Sequence, residues 1–420
     1  MSESKSLTID WNRSIQIDSS IDDDLVRRLT PKILAMRQAS NEPITIGIDS
    51  PGGSLASLDI LLGLLTGRDQ DGEPCQLITV ATHRAYSAAA NLLAFGDYAV
   101  ALGHSQVLYH DVRYGGMEDV TPEKARDAAK SLQDANDAFA LKLAHRIISR
   151  LVWVYIDLQG SFPDIRTRYQ DSYNKYTKLV EVYVPKVAGY ECIDLPSFAT
   201  ALWGRLSFRN DSLIKNVMGR LERWINFTAI SKTAPTYRAK GSRVAGLLDG
   251  TRHLHGLLGG KIEHFAASEE SLKLLLALIT ADISRTKTEK PNFQRVLDRA
   301  AREYSTLESM NNPKHIRYAS NLMLRHKHIF FTGQLAGEIE NMNEAEKAQL
   351  FAQAAPYARL LWHFCVLLCR ELFEGEHILQ PSDAQLLGLV DEVSGGGPIQ
   401  SRREFWLEQE KRLAATTVAT

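Results

Sequence analysis

Ile44, Ile46 and Ile48 alternate with smaller or polar residues and predict a strand. It stops at Asp49-Ser50-Pro51-Gly52-Gly53-Ser54, a run of turn-forming residues, and Leu55 to Thr66 then reads as a helix. A second apolar strand, Leu77 to Ala81, ends in Thr82-His83-Arg84-Ala85-Tyr86-Ser87 and leads into the alanine-rich Ala88-Ala89-Ala90-Asn91-Leu92-Leu93. A third strand, Ser105 to Tyr109, delivers His110. Upstream, Arg13 to Asp18 alternates as a short strand. Ile21-Asp22-Asp23-Asp24 opens a helix, because acidic residues favour a first helical turn. Leu25, Leu29, Ile33, Leu34 and Met36 continue its apolar face, with Pro31 as a kink or a restart. Strands alternating with helices predict an α/β layer architecture.

Beyond His110 the pattern changes. Thr121-Pro122-Glu123 starts a long helix with proline at its first position, continued by Leu132, Phe139, Leu143 and Ile147. From about Leu151 to Met342 the chain reads as largely helical, with helical spacing at Leu272–Ile279 and from Phe293 to Tyr304. Another helix is expected over Glu344–Leu372, broken at Pro356. No repeat recurs at a fixed period. Gly395-Gly396-Gly397-Pro398 breaks structure, and Arg402 to Arg412 reads as a charged helix ahead of a frayed tail.

Composition adds two constraints. Over 420 residues, 44% hydrophobic and 24% charged is a soluble globular balance, and a net charge of −1 gives no global pull towards nucleic acid or membrane. The near-zero total hides an asymmetry. Residues 151–370 hold 30 Lys+Arg against 21 Asp+Glu, leaving 19 against 29 elsewhere. A basic helical insert is compatible with nucleic acid, with an acidic partner, with the acidic body of its own chain, or with plain solvation. Tyr169, Tyr173, Tyr176 and Tyr183 interleave with Arg166, Arg168, Lys175 and Lys178, a mixture that could stack on bases. Three of the tyrosines share one helical face, which favours core packing over nucleic-acid binding. His253/His255 and His326/His328 are spaced by two but lack a completing carboxylate or cysteine set, so no metal site is expected. Cys75, Cys192, Cys365 and Cys369 form no disulfide framework, and the last two read as buried core thiols. The polar start, Met1 to Asn12, has no apolar core of a secretory signal, and the apolar stretch Tyr357–Leu372 is too interrupted by charge to span a membrane. A cytoplasmic, membrane-free protein is the expectation.

Three features carry chemistry. Pro51-Gly52-Gly53 is either a tight strand-to-helix connection or a place where bare backbone N–H groups approach a reacting carbonyl as part of an oxyanion hole. Ser87, between a strand and a helix, is either an N-cap or a nucleophile at a helix N-terminus that favours an oxyanion. His110 is either a satisfied rim histidine or a base. Their joint placement outlines acyl-transfer chemistry.

These blocks also carry a resemblance. Residues 13–66, with Ile48-Asp49-Ser50-Pro51-Gly52-Gly53-Ser54, resemble the proteolytic subunit of the Clp protease. Ala85-Tyr86-Ser87 with Asn91-Leu92-Leu93-Ala94-Phe95-Gly96 resembles that family's nucleophile segment, and Ser105–His110 its histidine strand. Ile378–Ala384 and Leu387–Val393 look like its closing segment. The resemblance implies a ClpP/crotonase-like spiral of βαβ units, here with a large, mostly α-helical inserted domain. It divides the chain into a core with handle helix (1–150), a helical insertion (151–342), a return to the core (343–398) and a C-terminal helix and tail (399–420).

The implied activity is that of a serine endopeptidase, with Ser87 as nucleophile, His110 as base and oxyanion or substrate contacts at Gly52, Gly53 and Ala88. The family's acid corresponds to Glu376, a Glu where the family has Asp, with Asp383 and Asp111 as fallbacks. After the nucleophile, Ala88-Ala89 stands where the family usually has Met-Gly. No metal or organic cofactor is required. Peptide or unfolded-protein substrates, a homo-oligomeric ring and an AAA+ unfoldase partner follow from the same resemblance. No G-x-x-x-x-G-K-[ST] phosphate loop occurs in the chain itself. Two alternatives stand beside it. One is a catalytically silent scaffold of the same fold whose insert recruits a partner. The other is a crotonase-type acyl-CoA enzyme, disfavoured by the serine–histidine pair.

Overall fold

The structure is a computed structural model and describes residues 11–40, 42–67, 75–113, 121–183, 194–233, 312–394 and 397–398. Its front part alternates as the apolar pattern requires: β1 (Ser14–Ile17), α1 (Asp23–Ala39), β2 (Ile44–Ser50), α2 (Leu55–Thr66), β3 (Leu77–Tyr86), α3 (Ala88–Phe95), β4 (Tyr98–Leu102) and β5 (Gln106–His110). Strands β1 to β4 lie in that order, all parallel. Ile15, Ile17, Ile44, Ile46, Ile48, Leu77 and Val80 are all fully or almost fully buried, as expected of a parallel sheet covered on both faces. Helix α1 starts where its acidic residues placed it, with the Asp22 carboxylate accepting from the Leu25 N–H at 2.8 Å. It runs on through Pro31. Ser54 caps α2 in the same way at 3.2 Å, and Ser57 Oγ donates to Asp23 Oδ1 at 2.8 Å, tying the two helix starts together.

Strand β3 is ten residues long and serves two neighbours. Its first half, Ile78–Ala81, pairs with Tyr98–Ala101 of β4, while Arg84–Tyr86 pairs with Gln106–Leu108 of β5. The sheet therefore branches at β3, and β5 leads off the main path of strands to one further partner near the end of the chain. The branch depends on β4, which the sequence reading passed over between the helix and the histidine strand.

The long helix α4 spans Pro122–Gln159, capped by Thr121, and runs through position 151 without a break. It is followed by α5 (Phe162–Arg168), α6 (Gln170–Tyr183), α7 (Leu195–Arg205), a 3-10 turn at Phe208–Asn210 and α8 (Asp211–Thr233). The next described elements are α9 (Pro313–Arg325), α10 (Lys327–Phe330), α11 (Gly333–Glu338), a 3-10 turn at Ile339–Asn341 and α12 (Glu344–Leu372). Helix α12 continues through Pro356 rather than breaking there. A proline deletes one backbone donor, and the buried Leu350, Ala354, Tyr357 and Ala358 in the turns around it supply the packing that holds the helix across it. The chain closes with β6 (Glu376–Leu379), α13 (Pro381–Leu386), β7 (Glu392–Ser394) and β8 (Gly397–Pro398). β6 runs antiparallel to β5, β7 runs parallel to β4, and Gly397–Pro398 pairs with β7 although that stretch reads as a breaker. The stretches 272–279, 293–304 and 402–412 lie outside the described residues.

The chain divides into two compact units. One comprises 1–174, 194–217 and 365–420, and the other 175–193 and 218–364. The first holds the sheet, and its ends are clasped by a buried ion pair. Arg150 of α4 reaches Asp391 at 2.8 Å, with side-chain exposures of 3% and 0%. Arg150 also donates to the carbonyls of Ala94 (2.8 Å), Leu389 (3.4 Å) and Gly96, while Asp391 Oδ2 accepts from the Ala99 N–H at 2.8 Å. A buried charge needs this many partners. In the same unit the Tyr169 ring meets Trp203 edge-on at 5.0 Å, and the Arg166 guanidinium lies 5.4 Å from the Tyr173 ring centre. These aromatic and basic residues pack on their own unit. The second unit buries Ile316, Leu322 and Met323 of α9, and His315 stacks on Trp362 at 5.0 Å. Cys365 and Cys369 are buried free thiols, and burial pushes the Cys369 thiol up. This is a mixed α/β fold, a largely parallel sheet with many helices. Among the described residues no helix is long and apolar enough to cross a membrane, and no His/Cys/Asp/Glu group is placed to hold a metal ion.

Candidate active site

The site forms where β2, β3 and β5 end. Parallel strands place their C-terminal ends on one side of the sheet, and in open α/β sheets that side is where ligands bind. Gly52 and Gly53 follow β2, Ser87 follows β3, and His110 is the last residue of β5.

Ser87 has φ 57° and ψ −120°, the only positive φ among the described non-glycine residues. A side chain in that region costs on the order of 1–3 kcal/mol and persists only where surroundings enforce it. The surroundings here are explicit. The Ser87 N–H donates to the Leu108 carbonyl at 2.7 Å, locking the turn to β5, and its carbonyl accepts from Ala90 and Asn91 at 3.0 and 3.2 Å, starting α3. The Ser87 hydroxyl makes no capping bond to the helix, so the N-cap use of serine does not apply. The residue is half-buried, and the small Ala88, Ala89 and Ala90 behind it are fully buried.

The glycines are required by approach as well as by dihedral angle. Gly52 has φ +94°, and a Cβ there would stand 2.4 Å from the Tyr86 carbonyl oxygen, 2.7 Å from Ser87 Cβ and 3.1 Å from the Ala88 nitrogen. Gly53 has φ +150°, and a Cβ there would stand 2.3 Å from the Ile21 carbonyl oxygen. Ile21 threads between them, its N–H donating to Gly52 O at 2.8 Å and its carbonyl accepting from Ser54 N at 2.7 Å. Ser50 finishes the turn, with its hydroxyl donating to Ser19 O at 2.6 Å and accepting from Gly52 N at 3.1 Å. The blocks around Ile21 and Gly52 are thus two halves of one turn pressed against the Ser87 elbow. Among the described residues neither the Gly53 nor the Ala88 N–H has a protein acceptor.

His110 is half-buried. Its Nδ1 lies 2.6 Å from the Asp111 carbonyl oxygen. A carbonyl only accepts, so the contact is a hydrogen bond with the hydrogen on Nδ1, which leaves Nε2 as the ring nitrogen available to act as a base. The β5–β6 register sets Glu376 directly opposite His110, and the Glu376 carboxylate meets Arg113 at 3.4 Å in an exposed pair. Asp111 accepts from the Gly375 N–H at 3.3 Å and from Asn136 Nδ2 at 3.5 Å. Asp383 is buried and accepts from Ser207 N, Ser207 Oγ and Asn210 Nδ2 at 2.9, 2.7 and 2.9 Å. Asn210 Nδ2 also donates to Ile378 O at 3.1 Å, so Asp383 fastens the 3-10 turn along the outer edge of β6.

Before the glycine turn, Asp49 accepts from Arg84 Nε at 2.8 Å with His83 Nδ1 at 3.5 Å, and the Arg84 hydrogen bond holds the Asp49 carboxyl below the usual carboxylate range. Beneath α3, Tyr109 donates its buried hydroxyl to Ala90 O at 3.0 Å, and burial pushes its phenol up. The sequence reading missed Ser50, Ile21, Asn136 and Arg150 as parts of this construction. Ile21 and Ser50 lay inside quoted blocks, whereas nothing local marks Asn136 or Arg150 within a helix rich in polar and basic residues.

A strand-end serine in an enforced positive-φ turn, with a glycine turn pressed against it and a histidine at the end of the neighbouring strand, has the layout of a nucleophile elbow on an α/β sheet, and among the described residues no hydrogen bond joins Ser87 to His110. A family model described as Clp protease matches residues 4–144. Over that stretch the chain is Clp protease-like, and Ser87, His110, Gly52 and Gly53 all fall within it. Glu376 and β6 lie beyond it. A search among curated proteins finds no match to the chain.

Proposed function

We propose that this protein is a serine endopeptidase acting on peptide or unfolded-protein substrates, with Ser87 as nucleophile and His110 as general base. The observation that carries this reading is the Ser87 elbow: a strained serine, unused as a cap, held between the glycine turn and the histidine strand. His110 Nε2 takes the Ser87 hydroxyl proton as Oγ bonds to the scissile carbonyl carbon. The carbonyl electrons move onto oxygen, where the N–H groups of Gly53 and Ala88 stabilise the negative charge. One such donor lowers a barrier by about 3–4 kcal/mol. Collapse breaks the C–N bond, and the imidazolium returns its proton to the leaving amine. Water then repeats the sequence on the acyl-serine ester, losing its proton to His110 and releasing the acid and Ser87. No step draws on a metal or an organic group.

Gly52 keeps the elbow clear of a side chain, and the Ser87 hydroxyl is not spent on capping the helix it precedes. The Clp protease match also supports a homo-oligomer, with an AAA+ unfoldase as its supplier of unfolded chain. Incubation with a fluorophosphonate probe tests the catalytic reading. Wild-type protein is expected to be labelled at Ser87 and Ser87→Ala to remain unlabelled. Equal labelling of the two removes Ser87 from the mechanism. Mass measurement in solution tests the assembly, and a monomer would refute it.

A further inference from the structure

We propose that the group orienting the base is the backbone carbonyl of Asp111, and that Asn136 of α4 is the positioning residue that holds and polarises it, in the place where serine hydrolases of this kind use a carboxylate. The inference rests on the reading of Ser87 and His110 given above.

Three carboxylates are candidates for the third member, and each is committed elsewhere. Glu376 pairs with Arg113 at 3.4 Å, and its side chain is 57% exposed. Asp383 is held by Ser207 and Asn210. The Asp111 carboxylate accepts from Gly375 and Asn136. The imidazole Nδ1 instead has the Asp111 carbonyl oxygen at 2.6 Å.

The same peptide unit is gripped from its other side. The Val112 N–H, which shares a plane with the Asp111 C=O, donates to Asn136 Oδ1 at 2.9 Å. One peptide therefore links two amide-type hydrogen bonds in series, from His110 Nδ1–H to Asp111 O=C, and from N–H of Val112 to Oδ1 of Asn136. Chained hydrogen bonds of this kind polarise one another, so the Asn136 acceptor makes the carbonyl a stronger partner for the imidazole. Asn136 Nδ2 closes the loop on the Asp111 carboxylate at 3.5 Å. Its own backbone is anchored next door, where Asp137 pairs with the largely buried Arg370 at 2.9 Å.

This arrangement meets the first duty of the acid in a serine site. In the best-studied triad, replacing that acid by its amide costs about 10⁴-fold because the imidazole takes the wrong tautomer. A carbonyl cannot donate, so it enforces the right one.

The test uses the full chain and the rate of fluorophosphonate labelling at Ser87, with the fraction of folded protein measured for each variant. Glu376→Gln is expected to lose less than about tenfold, against the loss of about 10³- to 10⁴-fold that an orienting acid would show. Asn136→Ala is expected to lose about 10- to 100-fold per folded molecule, the size of effect seen when the hydrogen-bond partner behind a metal-binding imidazole is removed. Asn136→Asp keeps an acceptor for the Val112 N–H but sets a second carboxylate against Asp111, so it is expected to recover only part of that loss, with its labelling rate relative to wild type rising as pH is lowered, a profile that a purely structural role would not produce. Should Asn136→Ala fail to fold, Asn136→Asp and Glu376→Gln carry the decision. A loss of about 10³-fold in Glu376→Gln, or an Asn136→Ala rate within about threefold of wild type, overturns the proposal and leaves the hydrolase reading intact. Absence of Ser87 labelling in the wild type overturns that underlying reading instead.

Discussion

Replacing Gly52 by alanine loads a methyl group onto the tightest point of the site. The added Cβ would stand 2.4 Å from the Tyr86 carbonyl oxygen, 2.7 Å from Ser87 Cβ and 3.1 Å from the Ala88 nitrogen. Close C···O contacts settle near 3.3 Å, so backbone on one side must retreat by about 0.9 Å. Neither side is a flexible side-chain tip: Tyr86 is the last residue of β3, and Ala88 the first of α3. The φ of +94° adds a conformational cost of about 1–3 kcal/mol for a residue with a Cβ. A displacement near 1 Å at a reacting group costs about 100-fold in rate. Gly52→Ala is therefore expected to label with fluorophosphonate about 100-fold more slowly than wild type, and to lose about 2–5 kcal/mol in urea unfolding from the dihedral and packing terms together. Gly63→Ala is the matched control. No atom lies within 4 Å of the added methyl and the residue is inside α2, so a gain of about 0.5–1 kcal/mol with unchanged labelling is expected. A Gly52→Ala protein that labels within about threefold of wild type would refute the idea that the glycine turn sets the Ser87 geometry.

Asp391→Ala leaves Arg150 charged and 97% enclosed, so it should lower stability by about 3–5 kcal/mol in urea unfolding. Replacing both Arg150 and Asp391 by apolar residues should cost less than the single change. Asp49 carries a lowered folded pKa through Arg84, so its pairing stabilises the fold above the ordinary carboxylate value and is lost as pH falls through the lowered one. Thermal unfolding midpoints of wild type and Asp49→Asn should therefore differ at neutral pH and converge in acid. A gap that widens on acidification would contradict the pairing.

Much of this construction was legible because local rules and tertiary demands agree. Helix α2 spans Leu55–Thr66, as its leucine spacing and the preceding serine and glycines indicate, and the Asp22 start of α1 holds as a cap. Strand β4 was passed over: Tyr98-Ala-Val-Ala-Leu102 is short and follows a helix without a strong turn signal. It is recognisable only once β3 is known to need a second partner. Pro31 and Pro356 misdirect for the opposite reason, since packing of the flanking turns outweighs one missing donor. At the site, motif order places Ser87, His110 and the glycines at neighbouring strand ends. The partner of His110 Nδ1 was not legible. It is a main-chain carbonyl, and any residue type has one. Arg113, which takes the Glu376 carboxylate, belongs to no motif either.

The position of the insertion has a consequence for biosynthesis. Val107–His110 pairs with Glu376–Leu379, and Val100–Leu102 with Glu392–Ser394, so the two edges wait for partners made some 270 and 290 residues later. At roughly 5–20 residues per second, the ribosome leaves these edges open for about 15–55 s. During that interval the emerging chain presents bare strand edges able to recruit a like strand from a neighbouring polysome. The buried clasp of Arg150 on Asp391 then closes only when synthesis is nearly done, making the last strands the step that commits the whole core.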